Sequence, residues 1–423
     1  MKTETVQKVR IPGTRWWRIG IPLLVLYLLA FIDRTNVGIA APSMMTTLEL
    51  SGVAFGVLSS AFFWGYILTM VPGGMLAKKT NAVTVISIAM IAVGVTACLT
   101  GIITDFGTLL VIRFIMGLAE GVLFPAFTVM FVKWFPGHER GRAVSLSTFA
   151  IPLAAMIAAP LGGWLIEQWN YTVMFLVQGA PAIIAGVAFL FLASKDPDTD
   201  LRISPAERAH ILNNRDPEPP ANAGFRDVLK RPTVWVLAAL YLLWMSALYG
   251  FNIWLPSLVK DLSSDGIGTV GLISAAPFLL GLVGMYFISR SSDKSQRSRG
   301  WYIAIPVAIG GIALILQHFL PLNLAGDIAL LCVAGFGIYA PIGTWWTWVI
   351  SLFPSDQAGP TVGLVNVFGN FGGIIAPPLL SFAGGAAGAG SAFYILGFSG
   401  IAGAIIAAVI ASSSSHRAAF RNK

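Results

Sequence analysis

Twelve times along this chain, about twenty residues pass with scarcely a charge among them. A helix needs roughly 20 such residues to cross a bilayer. Inside the lipid core each segment must satisfy its own backbone hydrogen bonds, so uninterrupted runs of this kind predict helices. The pattern places spans near 19–41, 52–77, 82–104, 107–133, 141–167 and 173–194, and again near 232–259, 267–289, 300–318, 325–352, 358–383 and 391–412. Of the 423 residues, 56% are hydrophobic and 11% charged, well under the quarter expected of a soluble domain. The expected fold is an all-α membrane protein of 12 transmembrane helices, in two six-helix bundles with pseudo-two-fold symmetry. Residues 1–194 form the first bundle, 195–231 a linker and 232–423 the second bundle.

Basic residues orient the chain. With both termini cytoplasmic, the inner segments hold all but three of the 27 Lys and Arg residues; Lys260 falls outside, and Arg34 and Arg113 lie within spans. Positive residues stay inside, which also explains the +8 net charge without invoking nucleic acid. The first apolar run is too long, and too clearly followed by further spans, for a cleaved signal peptide.

Cys98 and Cys332 lie in apolar stretches and read as packing residues rather than a disulfide. His138, His210 and His416 belong to polar segments and His318 ends a span, so the sequence offers no metal-ligand cluster and no cofactor site. Within the linker, "SPAERAHIL" predicts a short helix capped by Ser204, with Pro205 at its first position and Glu207 at its third. Two similar halves suggest a transporter with its site at their interface.

"FIDRTNVGIA" in span 1, "FFWGYILTMVPGGML" in span 2, "RFIMGLAEGVLFPA" in span 4, "FGIYAPIGTWWTWV" in span 10, "NVFGNFGGIIAP" in span 11 and the "ISPAERAHIL" linker stand in a telling order. Together they resemble the major facilitator superfamily, and within it the anion:cation symporters of organic anions. The resemblance covers essentially the whole chain. Two departures stand out. The loop after span 2 runs Gly74-Met75-Leu76-Ala77-Lys78-Lys79-Thr80-Asn81, with Lys78 where the family usually has an acid. In span 5, "AAMIAAPLGGWL" has alanines where exchangers carry glycines. The resemblance implies a cytoplasmic gate at Lys78, Lys79, Asp293 and Lys294.

Four ionised residues lie well inside spans: Asp33, Arg34, Arg113 and Glu120. Each costs about 2.5–3.5 kcal/mol at a helix centre on insertion scales, so such residues pair or work. Arg113 and Glu120 are seven residues apart and share a face of span 4. Neighbours Asp33 and Arg34 are about 100° apart and cannot face one another. The expected arrangement pairs Asp33 with Arg113, leaves Glu120 more isolated, and frees Arg34 to grip an anion through its planar fork. Asp33 and Glu120 are then the proton acceptors of a symporter, with Arg113 tuning Asp33; a purely structural salt bridge is the plainer alternative.

Tyr66 could point a hydroxyl inward or simply pack. Asn366 and Asn370, on one face of span 11, could meet a polyhydroxylated substrate or bond another helix. Tyr249, Asn252, Thr344, Trp345 and Trp348 are weaker candidates. The expected function is proton-coupled symport of a small organic anion, such as a sugar acid, by a functional monomer in the bacterial inner membrane. Its partners are the anion, protons and lipid. Facilitated diffusion or exchange is the alternative and a non-transporting sensor a remote one. Short outer loops without His or paired carboxylates argue against an enzyme.

Overall fold

A computed structural model describes residues 13–215, 225–263, 266–295, 297–353, 355–385 and 388–413. All twelve expected spans are helical. They run Trp16–Thr47, Gly52–Lys79, Ala82–Ile102, Phe106–Trp134, Gly137–Gln168 and Tyr171–Leu192, then Pro232–Leu262, Ile267–Lys294, Trp301–Phe319, Leu324–Ser351, Gly359–Gly384 and Phe393–Ser412. Span 1 opens with a π-helical turn over Trp16–Gly20 and exceeds its expected limits at both ends. Side-chain caps begin several spans: Ser51, Asn81, Asp105, Asn170 and Asn323 each accept a first-turn amide. The hydroxyl and amide of Thr108 both donate to Asp105, which holds that carboxyl below its usual range.

Packing repeats with a period of six spans. In the first half span 3 lies against 6, span 2 against 4 and span 1 against 5; in the second, span 9 lies against 12, span 8 against 10 and span 7 against 11. Contacts between the halves obey the same rule, since span 2 packs on 11 and span 8 on 5. Two six-helix bundles of like design therefore face each other.

Spans 4, 5 and 10 are each interrupted, at Val122, at Phe149 and at Ala340–Pro341. The cause is local. Proline has no N–H and its ring crowds the carbonyl four residues back. Pro125, Pro152 and Pro341 thus unpair the carbonyls of Gly121, Thr148 and Gly337. Other internal prolines, such as Pro160 and Pro277, leave their helices continuous.

The linker helix spans Pro205–Asn213, and Ser204 accepts the Glu207 amide at 3.1 Å. Glu207 is fully buried and takes both the backbone amide and Nη1 of Arg15 at 2.9 Å. Arg15 also forks onto Glu139, Arg18 meets Asp200 at 3.3 Å, and Lys133 meets Asp196 at 2.8 Å. The first part of the linker is thus fastened to the first bundle, not a free tether. Cys98 and Cys332 are unpaired and half-buried in spans 3 and 10.

Candidate functional site

Span 2 approaches span 4 as closely as helices can, because glycines meet backbone there. A Cβ on Gly117 would strike the carbonyl of Phe62, and one on Gly65 the carbonyl of Phe114. This contact presses Phe62 and Tyr66 against the charged residues of spans 1 and 4. Asp33, Arg34, Arg113 and Glu120 are all buried.

The ion pairing corrects the expectation. Arg34 is not free: its Nε donates to Glu120 Oε1 at 2.8 Å, and its Nη2 donates to the same oxygen. Only one of two adjacent side chains can face span 4 at the height of Glu120, and Arg34 takes that position. Among the described residues, no cation pairs directly with Asp33. Its Oδ1 accepts from Asn36 one turn on at 3.4 Å, and its Oδ2 has no hydrogen-bond partner. Arg113 donates instead to the Met116 sulfur at 3.3 Å.

Aromatic faces complete the setting. The Arg34 guanidinium carbon lies 4.4 Å from the ring centre of Phe31, 4.7 Å from Tyr66 and 5.1 Å from Phe62. Arg113 approaches Phe62 too, at 5.3 Å, so one ring serves both cations.

Arg34 and Tyr66 form part of the wall of a central cavity between the bundles. Across it stand Tyr249, Asn366 and Asn370. The Tyr249 hydroxyl donates to Asn370 Oδ1 at 3.1 Å, and Asn370 Nδ2 donates to the Asn366 carbonyl at 2.9 Å. Asn252 lines a smaller adjoining cavity with Arg113 and donates to the Tyr339 hydroxyl at 3.0 Å. Trp345 and Thr344 are buried outside the central wall, which span 10 lines with Ile342 and Trp346 instead. Trp345 packs behind, stacked on Tyr241 at 4.9 Å, and Trp348 is buried against it.

Tyr27 and Tyr241 also line the cavity, and the candidate set omits them. Helical spacing carries a signal for both. Tyr27, Phe31 and Arg34 follow i, i+4, i+7 in span 1, and Tyr241, Met245, Leu248 and Tyr249 follow i, i+4, i+7, i+8 in span 7.

The bundles meet tightly at the end away from the basic segments. A Cβ on Gly38 would lie 2.7 Å from the Ile253 carbonyl, and one on Gly163 2.6 Å from that of Ile267. Ser60 donates to the Ile374 carbonyl at 2.8 Å, and Trp254 to that of Pro377 at 3.2 Å. The cavity lies on the basic-segment side of this seal. At the basic end, Lys78, Lys79, Asp293 and Lys294 are exposed, and Asp293 reaches Arg299 at 3.6 Å.

The structure also gathers a group that sequence spacing conceals. His138, Glu139 and His210 present ligand atoms within 4.8 Å of one another. Arg15 donates to both Glu139 oxygens, at 2.7 and 2.8 Å, so the carboxylate already holds a cation.

Twelve apolar helices in two like bundles, with a charged cavity midway between them and a seal at one end, define an integral multi-pass transporter. The chain belongs to the Major Facilitator Superfamily, whose sequence profile matches residues 23–377. The inner membrane transport protein RhmT of Escherichia coli (strain K12) is 31% identical over 366 residues, covering 84% of this chain and 85% of that one. A quinolone resistance transporter of Acinetobacter baumannii is 27% identical over 84% of each chain, and the hexuronate transporter of Bacillus subtilis (strain 168) is 23% identical over 86% of this chain and 87% of its own. Among solved structures, a bacterial homolog of the human lysosomal transporter Spinster, inward-facing and occupied, superposes with TM-score 0.73 at 17% identity, over 97% of each chain.

Proposed function

We propose that this protein imports a small organic anion by proton-coupled symport in a bacterial inner membrane, alternating access between its two bundles. In this reading the basic end is cytoplasmic, and the sealed end faces outward. The observation that carries the proposal is the buried Arg34 on the cavity wall, held there by the carboxylate of Glu120. A substrate carboxylate needs that same guanidinium. Protonation of Glu120 removes its rival, so proton and anion bind together and neither returns easily alone. Asp33, with one buried oxygen unpartnered, is the second proton-carrying acid, and Arg113 tunes the shared field. Relatives named for an organic anion, hexuronate among them, support the cargo class.

Proteoliposomes test the coupling. Acidifying the outside drives accumulation above equilibrium in a symporter, whereas facilitated diffusion or exchange only equilibrates. Proton-driven uptake that survives in both Asp33→Asn and Glu120→Gln refutes the assignment.

A further inference from the structure

At the sealed end span 5 finishes and span 8 begins, and the two cross backbone to backbone. A Cβ on Gly163 would meet the Ile267 carbonyl, and one on Gly271 would strike the carbonyl of Ala159. One helical turn beyond Gly163, towards the outer surface, this apolar contact gives way to a charged one. Glu167 of span 5 lies over the first turn of span 8, so that a Cβ on Gly266 would strike its Oε1 and a Cβ on Gly268 its Oε2. Two glycines thus leave room for one carboxylate. Glu167 is the one charged residue lining the groove that spans 5 and 8 form there.

The start of span 8 is suited to that charge. Spans 2, 3 and 6 carry a side-chain cap of their own, whereas span 8 starts from Gly266, which has no side chain to supply one. First-turn amides have no partner within a helix, and they give it a positive end that a nearby acid stabilises. The acid belongs to the first bundle and the helix to the second, so their attraction acts across the seal. Opening this end would draw the carboxylate off the helix.

We infer that Glu167 is a latch on the outer seal: its charge, set against the start of span 8, holds the two bundles together at that end. The inference rests on the alternating access proposed above. It adds a residue remote from the cavity that weights the balance between the sealed and the open outer end.

Distances between the outer ends of the bundles test it. Nitroxides on Thr104→Cys, between spans 3 and 4, and on Leu322→Cys, between spans 9 and 10, report the separation in a background lacking Cys98 and Cys332. Glu167→Gln removes the charge and keeps the shape, and the ratio of wide to narrow separations rises roughly two- to fivefold. Gly268→Ala places a methyl where Oε2 lies, displaces only the flexible end of Glu167, and gives the same rise. The two substitutions together give no more than either alone, as expected of one shared contact. Gly38→Val, which wedges the seal against Ile253, is the positive control. Widening by Gly38→Val but not by Glu167→Gln overturns the latch and leaves alternating access standing, and widening by neither overturns both. A rise with Glu167→Gln that Gly268→Ala does not share overturns the seating of the charge on span 8.

Discussion

Glu120→Gln is the sharpest perturbation the site offers, because it changes charge with almost no change of shape. In the native chain the Arg34 Nε and Nη2 both bond to Oε1 of Glu120. A hydrogen bond to a charged group contributes about 1.5–3 kcal/mol net. A substrate carboxylate must compete against that amount for the same guanidinium, and the variant abolishes the competition. At pH 8 the variant therefore binds anion roughly 10- to 100-fold more tightly than the native protein. Native affinity rises as pH falls, because protonation of Glu120 releases Arg34; the variant is already released, so its affinity rises less steeply between pH 8 and pH 6, through Asp33 alone. Accumulation is lost, while exchange of labelled for unlabelled anion persists. Removing one partner of a buried pair also costs stability, by about 3–5 kcal/mol, so thermal unfolding of the purified variant establishes that it is folded. Titration calorimetry at the two pH values supplies the decisive numbers. A variant that binds no better than native at pH 8, and keeps the native slope with pH, refutes the competition between Glu120 and the anion.

Two further outcomes follow from the packing. Gly38→Val sets a side chain against the Ile253 backbone and opposes the seal; in a background lacking Cys98 and Cys332, a cysteine at the buried Ser257 beside that seal is alkylated several-fold faster, and an unchanged rate refutes the role of this contact. Glu207→Gln strips the buried linker acid from Arg15 and costs about 3 kcal/mol; proteolysis within residues 195–215 accelerates while anion affinity stays within twofold, and equal proteolysis rates refute the fastening.

Lipid made the architecture legible. A span must be long and apolar for reasons that hold residue by residue, so twelve helices and their rough places follow from the chain alone, as do the cap at Ser204 and the burial of all four intramembrane charges, whereas the polar ends of spans such as 1, 5 and 8 run past the apolar runs. Partner choice was not legible in the same way. Depth along a helix separates Asp33 from Arg34 by only about 1.5 Å, and which of them faces span 4 depends on rotation about the axis. The expected Asp33–Arg113 pair therefore gave way to Arg34–Glu120. A similar one-residue ambiguity put Trp345 forward where Trp346 lines the cavity. Contacts from distant segments, such as Arg15 on Glu139 and Glu207, join positions whose order in the chain says nothing of their meeting.

The proline interruptions lie at the height of the cavity. Phe124, Thr148, Ile342 and Trp346, all on its wall, sit at or within about two turns of the breaks in spans 4, 5 and 10. The half-helices Leu123–Trp134, Gly137–Thr148 and Ile342–Ser351 are thus short levers with their fulcrums beside the ligand. On the alternating-access reading proposed above, closing the basic end would ask three rods of ten or twelve residues to tilt rather than whole spans to swing. On that reading, a ligand touching the fulcrum end of each rod would bias all three together, so that the residues that bind it would also set the closure.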